Sequence, residues 1–428
     1  MKVDTTRPHH WRQISREPAL AAPPLQGDEQ ADFVVVGGGY TGLSAALAIA
    51  SAGRSVMVLE ADYVGAGASG RNNGMVVPHH SRNTPGEIEA MLGSRLGHRY
   101  NEMIAGAADE TFGLIARHKI ACDPVQNGWM QPAHSVAALE RGRAVHDGWR
   151  AFGADVEWID RDSMAHKMGS PGYLGGWKAA SGGHINPFAY VTGLGRAAQA
   201  AGARIHQGTP VVAITCDGKY WAVKTRASVV RASKVLIATN GLTGNFWPQL
   251  AQAFIPVKIY QVATKLLDAD VRGAILPGNE AASDTRKDIW AFHYDANGGL
   301  VSGGTHSIWY RAEERGKASV DRILRKSFPS LGTIEFASYW EGIIAVVPDR
   351  LPRVMRLADG VIFVGAYSGR GVALSTVLGG LVGRWMNETL GDSDLPMPVT
   401  ELRKIPAHGI AVTAARFIHP VHRVLDAI

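Results

Sequence analysis

A short apolar run, Phe33-Val34-Val35-Val36, passes directly into Gly37-Gly38-Gly39-Tyr40-Thr41-Gly42, which has the spacing G-x-G-x-x-G. The β-branched run suits a strand buried on both faces. Residues 43–52 are almost all small and apolar, predicting a helix that lies close against a sheet. Gly53 ends that helix, residues 55–59 read as the next parallel strand, and Glu60 closes it eighteen positions after Gly42.

Each piece has a physical task in holding a dinucleotide. Gly37 makes the tight turn, Gly39 admits a pyrophosphate close to the backbone, and Gly42 allows close helix–strand packing. The helix N-terminus offers unpaired N–H groups to phosphates. Glu60 is placed to accept hydrogen bonds from an adenosine ribose. Glycine-rich turns alone are common, but strand, glycines, helix, strand and acid in register make a far more specific signal.

Length and composition bound the rest. A chain of 428 residues suggests two or three structural domains, and 46% hydrophobic with 19% charged residues describes a globular chain with ample core. No apolar run reaches a membrane span; the longest, near residues 372–382, is flanked by Arg370 and Arg384. No integral membrane segment is expected. Residues 1–30 are polar, lack an apolar signal core and read as an extended arm. Cys122 and Cys216 are the two cysteines, a usage that fits a reducing compartment and a cytoplasmic location. The net charge of +6 is spread along the chain without a dense basic cluster, so no nucleic-acid partner is expected. The tail, residues 408–428, mixes apolar residues with Arg416, His422 and Arg423; a docked terminal helix is preferred there to a membrane-surface helix.

After Glu60, residues 65–80 concentrate glycine and asparagine before Pro78-His79-His80, which implies close backbone approach to something flat or polar. Apolar spacing predicts helices over 95–120 and 137–152, with a strand at 128–130 between them. A helix begins at Pro187 and ends near Gly202; Gly193-x-Gly195 follows a helix start and is no second nucleotide site. Strands are expected at 211–215, 220–224 and 234–238, and a hairpin pairs 289–294 with 300–302. Residues 360–375 again read as strand, glycine turn and helix. Adjacent histidines on one strand point opposite ways, so His79 and His80 do not form a metal pair, and no metal is expected.

Taken together, VVVGGGYTGLSAALAIASAG with Glu60, GAGASGRNNGMVVP, GGHINP, LIATNG and WEGIIAVVPDRLPRV leading into VGAYSGRGVALS carry a resemblance. The chain resembles the D-amino-acid-oxidase-type flavoprotein superfamily, in particular its gamma-glutamylputrescine-oxidase-like members, related to glycine and sarcosine oxidases. The resemblance spans residues 31–375. It implies an α/β plus α+β fold, with a Rossmann-like FAD-binding domain interleaved with a substrate domain built on an antiparallel β-sheet. The expected division gives residues 1–30 to an arm, and 31–85, 150–250 and 346–395 to the FAD domain. The substrate domain takes 86–149 and 251–345, leaving 396–428 as a tail.

The implied cofactor is non-covalent FAD, because covalent relatives carry a cysteine just before the segment matching Val347-Pro348-Asp349 and this chain has none there. Gly37, Gly39, Gly42 and Glu60 would hold the ADP half, with Tyr40, Thr41 and Ala61 beside them. Ser69, Arg71, Asn72, Gly74 and Met75 would lie along the pyrophosphate and isoalloxazine. Val211 would meet the adenine end. Asn240, Gly365, Tyr367, Ser368, Gly369, Gly371 and Val372 would meet the ring's pyrimidine edge. Ala373 stands where sarcosine-oxidase relatives place a carboxylate-binding lysine. Their oxygen-activating lysine corresponds to Val301 or Ser302.

The implied chemistry is oxidation of a C–N bond in a small-molecule amine, with oxygen or another acceptor taking the electrons. A desolvated aromatic site lowers an amine's pKa and favours the neutral form that releases hydride. Tyr260, Trp290, Phe292, His293 and Tyr294 are candidates for that lining, with a core or interface position as the alternative for each. Lys258 reads as a solvated strand residue. Arg370 either stabilises negative charge at the reduced flavin or pairs with an acid such as Asp349 or Glu341. Three readings remain: an amine or amino-acid oxidase or dehydrogenase, which is favoured; a nicotinamide-dependent flavin reductase, which lacks its second glycine-rich unit; and a protein using FAD structurally.

Overall fold

The computed structural model describes residues 4–415 except 7, 82, 287–289 and 306–309. The strand Glu29–Val36 lies inside a nine-stranded sheet, between Val229–Ile237 and Val56–Leu59 and parallel to both. Val361–Gly365 and Arg204–His206 continue the parallel set outward. Phe33 and Val35 pack beneath helices on one face, while Val34 and Val36 meet Met57, Phe254 and Phe363 on the other. The unbroken β-branched run is thus a strand covered on both sides.

An eight-stranded sheet forms the second layer system, ordered Phe336–Val346, Ile255–Thr264, Leu300–Thr305, Ala291–Tyr294, Ala281–Ser283, Trp129–Pro132, Gly176–Ala179 and Val156–Ile159. Its pairings are antiparallel except that of Ala281–Ser283 with Trp129–Pro132. The helix Ala312–Ser327 covers one face, burying Val320, Ile323 and Leu324 against Tyr260, Val262 and Phe292. A short ladder joins Met75–Val76 to Gly183–His184 between the two sheets.

Two boundaries and the conformation of the arm differ from the sequence expectation. Val156–Ile159 and Gly176–Ala179 pair with the second sheet, so the sheets do not divide at residue 150. Val399–Glu401, inside the expected tail, adds a strand to the first sheet beside Arg353–Ala358. The N-terminal arm is packed rather than extended: it makes a short helix, His10–Gln13, and buries Trp11 to 1% exposure. In the tail, His408 Nε2 lies 2.9 Å from Phe254 O, while residues 416–428, including Arg416, His422 and Arg423, fall outside the described residues. Ile289 at the expected hairpin start does so too.

Two glycine-started helices, Tyr40–Ser51 and Gly371–Met386, press directly on each other. A Cβ on Gly379 would fall 2.5 Å from Thr41 O, and one on Gly383 would fall 2.7 Å from Ala45 O. Backbone cannot yield as a flexible side chain does, so Gly379→Ala should lower unfolding stability by about 1–3 kcal/mol. Gly380 has open space around its Cβ direction. Gly380→Ala should be neutral or stabilising by up to about 1 kcal/mol, since alanine is the better helix former. Denaturant unfolding of the two variants side by side measures the difference; equal stabilities would mean that the helices do not depend on that contact.

Candidate active site

The first glycine turn is shaped so that little but glycine fits it. Gly37 has φ +111, and a Cβ on Gly42 would sit 2.1 Å from Gly37 O. Helix Tyr40–Ser51 starts at Gly39 without a side-chain cap on that residue and without an acid in its first turn. Tyr40 N instead donates to Ser69 Oγ at 3.0 Å, and a Cβ on Gly39 would fall 2.8 Å from that same oxygen. Glu60 Oε2 accepts from Gly38 N at 2.7 Å and Oε1 from Asp62 N at 3.0 Å. Burial raises the Glu60 pKa despite those bonds. Ala61, next to it, is exposed. Val211 lies just before the strand Ala213–Asp217, half-buried against the Val34 side of the sheet.

Arg71 supplies the charge. It is 2% exposed, and its guanidinium donates to Ala66 O at 2.8 Å, Asp4 O at 3.1 Å, Tyr63 Oη at 3.1 Å and Glu341 O at 3.3 Å. All four acceptors are neutral, and among the described residues no carboxylate stands within ion-pairing distance. A buried cation without a counter-ion is costly. A helix N-terminus with no acid in its first turn, glycines at the turn, an acid at the strand end and this cation together fit a bound dinucleotide pyrophosphate.

The second glycine turn is brought to the first. Thr41 Oγ1 and Tyr367 Oη are 2.7 Å apart, so the two helix starts share a hydrogen bond. Ala366, Ser368 and Gly369 all have positive φ, and the strained turn is held by its neighbours. Asn240 Oδ1 accepts from Ala366 N at 2.9 Å, beside Gly365, while Ser368 N donates to Ala345 O and Ser368 Oγ accepts from Val347 N. Gly371 and the buried Val372 open the following helix. Arg370 sits at its N-cap, 5.4 Å from the Trp129 ring and close enough to help depress the pKa of the buried His79. Asp349 pairs with Arg353, and Glu341 with Lys258.

Between the turns runs the segment 71–75. Asn72 Nδ2 donates to Ala68 O and Ser69 O, and its Oδ1 accepts from Gly74 N at 2.7 Å. Three consecutive carbonyls of this segment are each met by an aromatic ring nitrogen. Trp340 Nε1 donates to Arg71 O at 3.0 Å and Trp11 Nε1 to Asn72 O at 2.9 Å, while His293 Nε2 lies 2.6 Å from Asn73 O. His293 Nδ1 is 2.9 Å from Tyr294 O, so both ring nitrogens face carbonyls.

Strand alternation sorts the other candidates. His293, Gln261 and Ala263 face the 71–75 side; Gln261 Oε1 accepts from Asn73 Nδ2 at 3.0 Å. Tyr260 and Phe292 lie on the opposite face in the core beneath the helix Ala312–Ser327. Tyr294 gives its hydroxyl to Ile275 O, and burial pushes its pKa up to about 12. Trp290 stacks with Arg286, whose Cζ lies 3.8 Å from the ring centroid. Lys258 is not solvated: its side chain is 14% exposed and pairs with Glu341 at 2.5 Å. His79 and His80 are separately engaged, His80 with Asn101 Oδ1 at 2.7 Å and His79 with the His80 carbonyl. Sequence reasoning missed Trp11, Gln261 and Trp340. The one signal available for Trp11 was a tryptophan isolated in an otherwise polar arm.

A cavity of about 250 Å³ adjoins this region, lined by Trp11, Asp123, His184, Asn186, Asn279, Tyr294 and Asp295 among others. Asp123 Oδ2 is buried there without a hydrogen-bond partner, and burial raises its pKa. Asp295 is bound by His10 Nε2 at 2.8 Å.

A family model described as FAD dependent oxidoreductase matches residues 32–385. A probable oxidoreductase, OrdL, of Rhizobium meliloti (strain 1021) is 30% identical over 403 residues, covering 93% of this chain and 92% of that protein. The gamma-glutamylputrescine oxidoreductase of Escherichia coli (strain K12) is 30% identical over 359 residues, 82% of each chain. Among solved structures, the glycine oxidase of Geobacillus kaustophilus superposes with a TM-score of 0.73 at 18% identity, covering 88% of this chain and all of that one. Glu60→Gln keeps the shape of the side chain and removes its charge. It should weaken FAD binding on the order of tenfold, as for the loss of a charge-assisted hydrogen bond. Fluorescence titration of apoprotein with FAD reads the dissociation constant, and an unchanged value would take Glu60 out of the cradle.

Proposed function

The chain belongs to the FAD-dependent oxidoreductase family, and from that membership we propose that it oxidises the C–N bond of a primary or secondary amine. The substrate would be polyamine-derived, N-alkyl or amino-acid-like, and the imine formed would hydrolyse to an aldehyde or keto product. The protein is an oxidoreductase that uses FAD. FAD held there would supply the two-electron acceptor for hydride at its N5. Gly37, Gly39, Gly42 and Glu60 would hold its ADP half, Arg71 its pyrophosphate, and Asn72, Gly74, Met75 and the 367–372 turn its ring.

The observation that carries the amine reading is the acidic cavity beside Trp11 and His184, with Asp123 and Asp295 in its wall. Carboxylates draw a cationic amine and repel a free carboxylate. Hydride release requires the neutral amine. Asp123, whose pKa burial raises, is suited to accept the ammonium proton. Ala373, 2% exposed, places no cation where a substrate carboxylate would need one. The name of the gamma-glutamylputrescine relative points to the same substrate class.

A second reading rests on a different cleft, in which Arg350 and Arg370 stand with Tyr367, His79 and Tyr100. Two guanidiniums there suit an amino-acid carboxylate, with electrons passed to an acceptor other than oxygen. An anaerobic panel of polyamines, N-alkyl amines and amino acids, read by bleaching of the flavin absorbance, separates the two. Amines should bleach it fastest, and NADPH should not bleach it. Faster bleaching by small free amino acids would select the second reading.

Arg370 is proposed to act on the reduced cofactor through its charge, at a helix start where a cation opposes the dipole and gains nothing from helix stability. Arg370→Met should lower the flavin midpoint potential by tens of millivolts, with 30 mV equal to about 1.4 kcal/mol for a two-electron couple. Dye-coupled reduction of the FAD-loaded variant measures it. A potential equal to that of the parent would leave Arg370 a structural role only.

A further inference from the structure

The N-terminal arm reaches both halves of the molecule through one residue. Trp11 Nε1 donates to Asn72 O at 2.9 Å, and Asn186 Nδ2 donates to Trp11 O at 3.1 Å, both on the side of the first sheet. Its ring lies flat on His293, with centroids 5.9 Å apart and planes 7° apart, and meets Trp340 edge-on at 5.9 Å. Those two rings belong to the second sheet and hold the carbonyls on either side, Asn73 O and Arg71 O. Next to it, His10 is bound to Asp295 and Ser338 of the second sheet at 2.8 and 3.2 Å.

Three successive carbonyls are therefore met by three rings, of which the middle one packs against the other two and comes from an arm remote in sequence. A backbone segment whose carbonyls are committed in this way cannot rotate its peptide planes without losing hydrogen bonds in a buried site, where unpaired groups are costly. Only Gly fits at the end of the segment: Gly74 has φ +93, and a Cβ would lie 2.4 Å from Ile185 O. Trp11 also buries its ring with Ala263 and Val301, so the arm seals this side of the segment from water.

We propose that Trp11 is a positioning residue for the cofactor: through Asn72 O and the His293–Trp340 rings, it preorganises the 71–75 segment to receive the flavin. This rests on the reading above that the segment lines the flavin ring. Preorganisation stabilises the bound state by removing an ordering cost, so it is read in cofactor affinity before it is read in turnover.

The test uses full-length apoprotein titrated with FAD, together with the melting temperature of the apoprotein and the visible circular dichroism of the bound flavin. Trp11→Phe keeps a ring in the stack and loses the N–H. It should raise the FAD dissociation constant roughly three- to tenfold, with the apoprotein melting temperature close to that of the parent. Trp11→Ala should raise the constant further and alter the flavin dichroism. Arg16→Ala, which removes an exposed arm contact to Asp123, should change neither. If both Trp11 variants bind FAD like the parent, or lose affinity only in proportion to lost apoprotein stability, the proposal is overturned. Asn72→Ala separates the premise: undiminished FAD affinity there would remove the segment from the flavin site, whereas weakened affinity with normal Trp11 variants would reject the role of Trp11 alone.

Discussion

The close approach of two glycine-started helices is the constraint on which the arrangement depends. Helix Tyr40–Ser51 follows the central strand of the first sheet, and Gly371–Met386 returns from more than 300 residues later to lie against its backbone. Gly379 and Gly383 allow that distance because they have no Cβ to place between the helices. The contact brings both helix N-termini to one end of the sheet, where Thr41 and Tyr367 share a hydrogen bond. Two helix N-termini then face one region, and an elongated anionic cofactor is what such a region can hold.

Charge follows from this geometry. Arg71 is buried between the sheets with neutral acceptors around it, an arrangement that is unfavourable until an anion arrives. The acidic wall formed by Asp123 and Asp295 lies on the other side of the arm, with Trp11 bordering both regions. The arm that separates them is short and polar in sequence, yet it places a fully buried indole between the two sheets.

The sequence by itself determined the first strand–turn–helix–strand unit, because each step there is local. A β-branched run, glycines at forced φ or forced distance, a small-residue helix and an acid at the strand end specify one another within thirty residues. The same holds for the second glycine turn and for the helix from Pro187, capped by Asn186. Tertiary structure decided what depends on pairing across the chain. Residues 156–179 joined the second sheet because their partners are Trp129–Pro132 and each other, which no local pattern records. Strand alternation put His293 and Gln261 on the side of the 71–75 segment and sent Tyr260 and Phe292 into the core; which face was which depended on where the helix Ala312–Ser327 packed. Lys258 looked solvated until Glu341, on the neighbouring strand, was set beside it. Trp11 is the extreme case: its hydrogen bond to Asn72 crosses 61 positions and its stacking on His293 crosses 282, so only the folded chain could show where the indole of the arm packs.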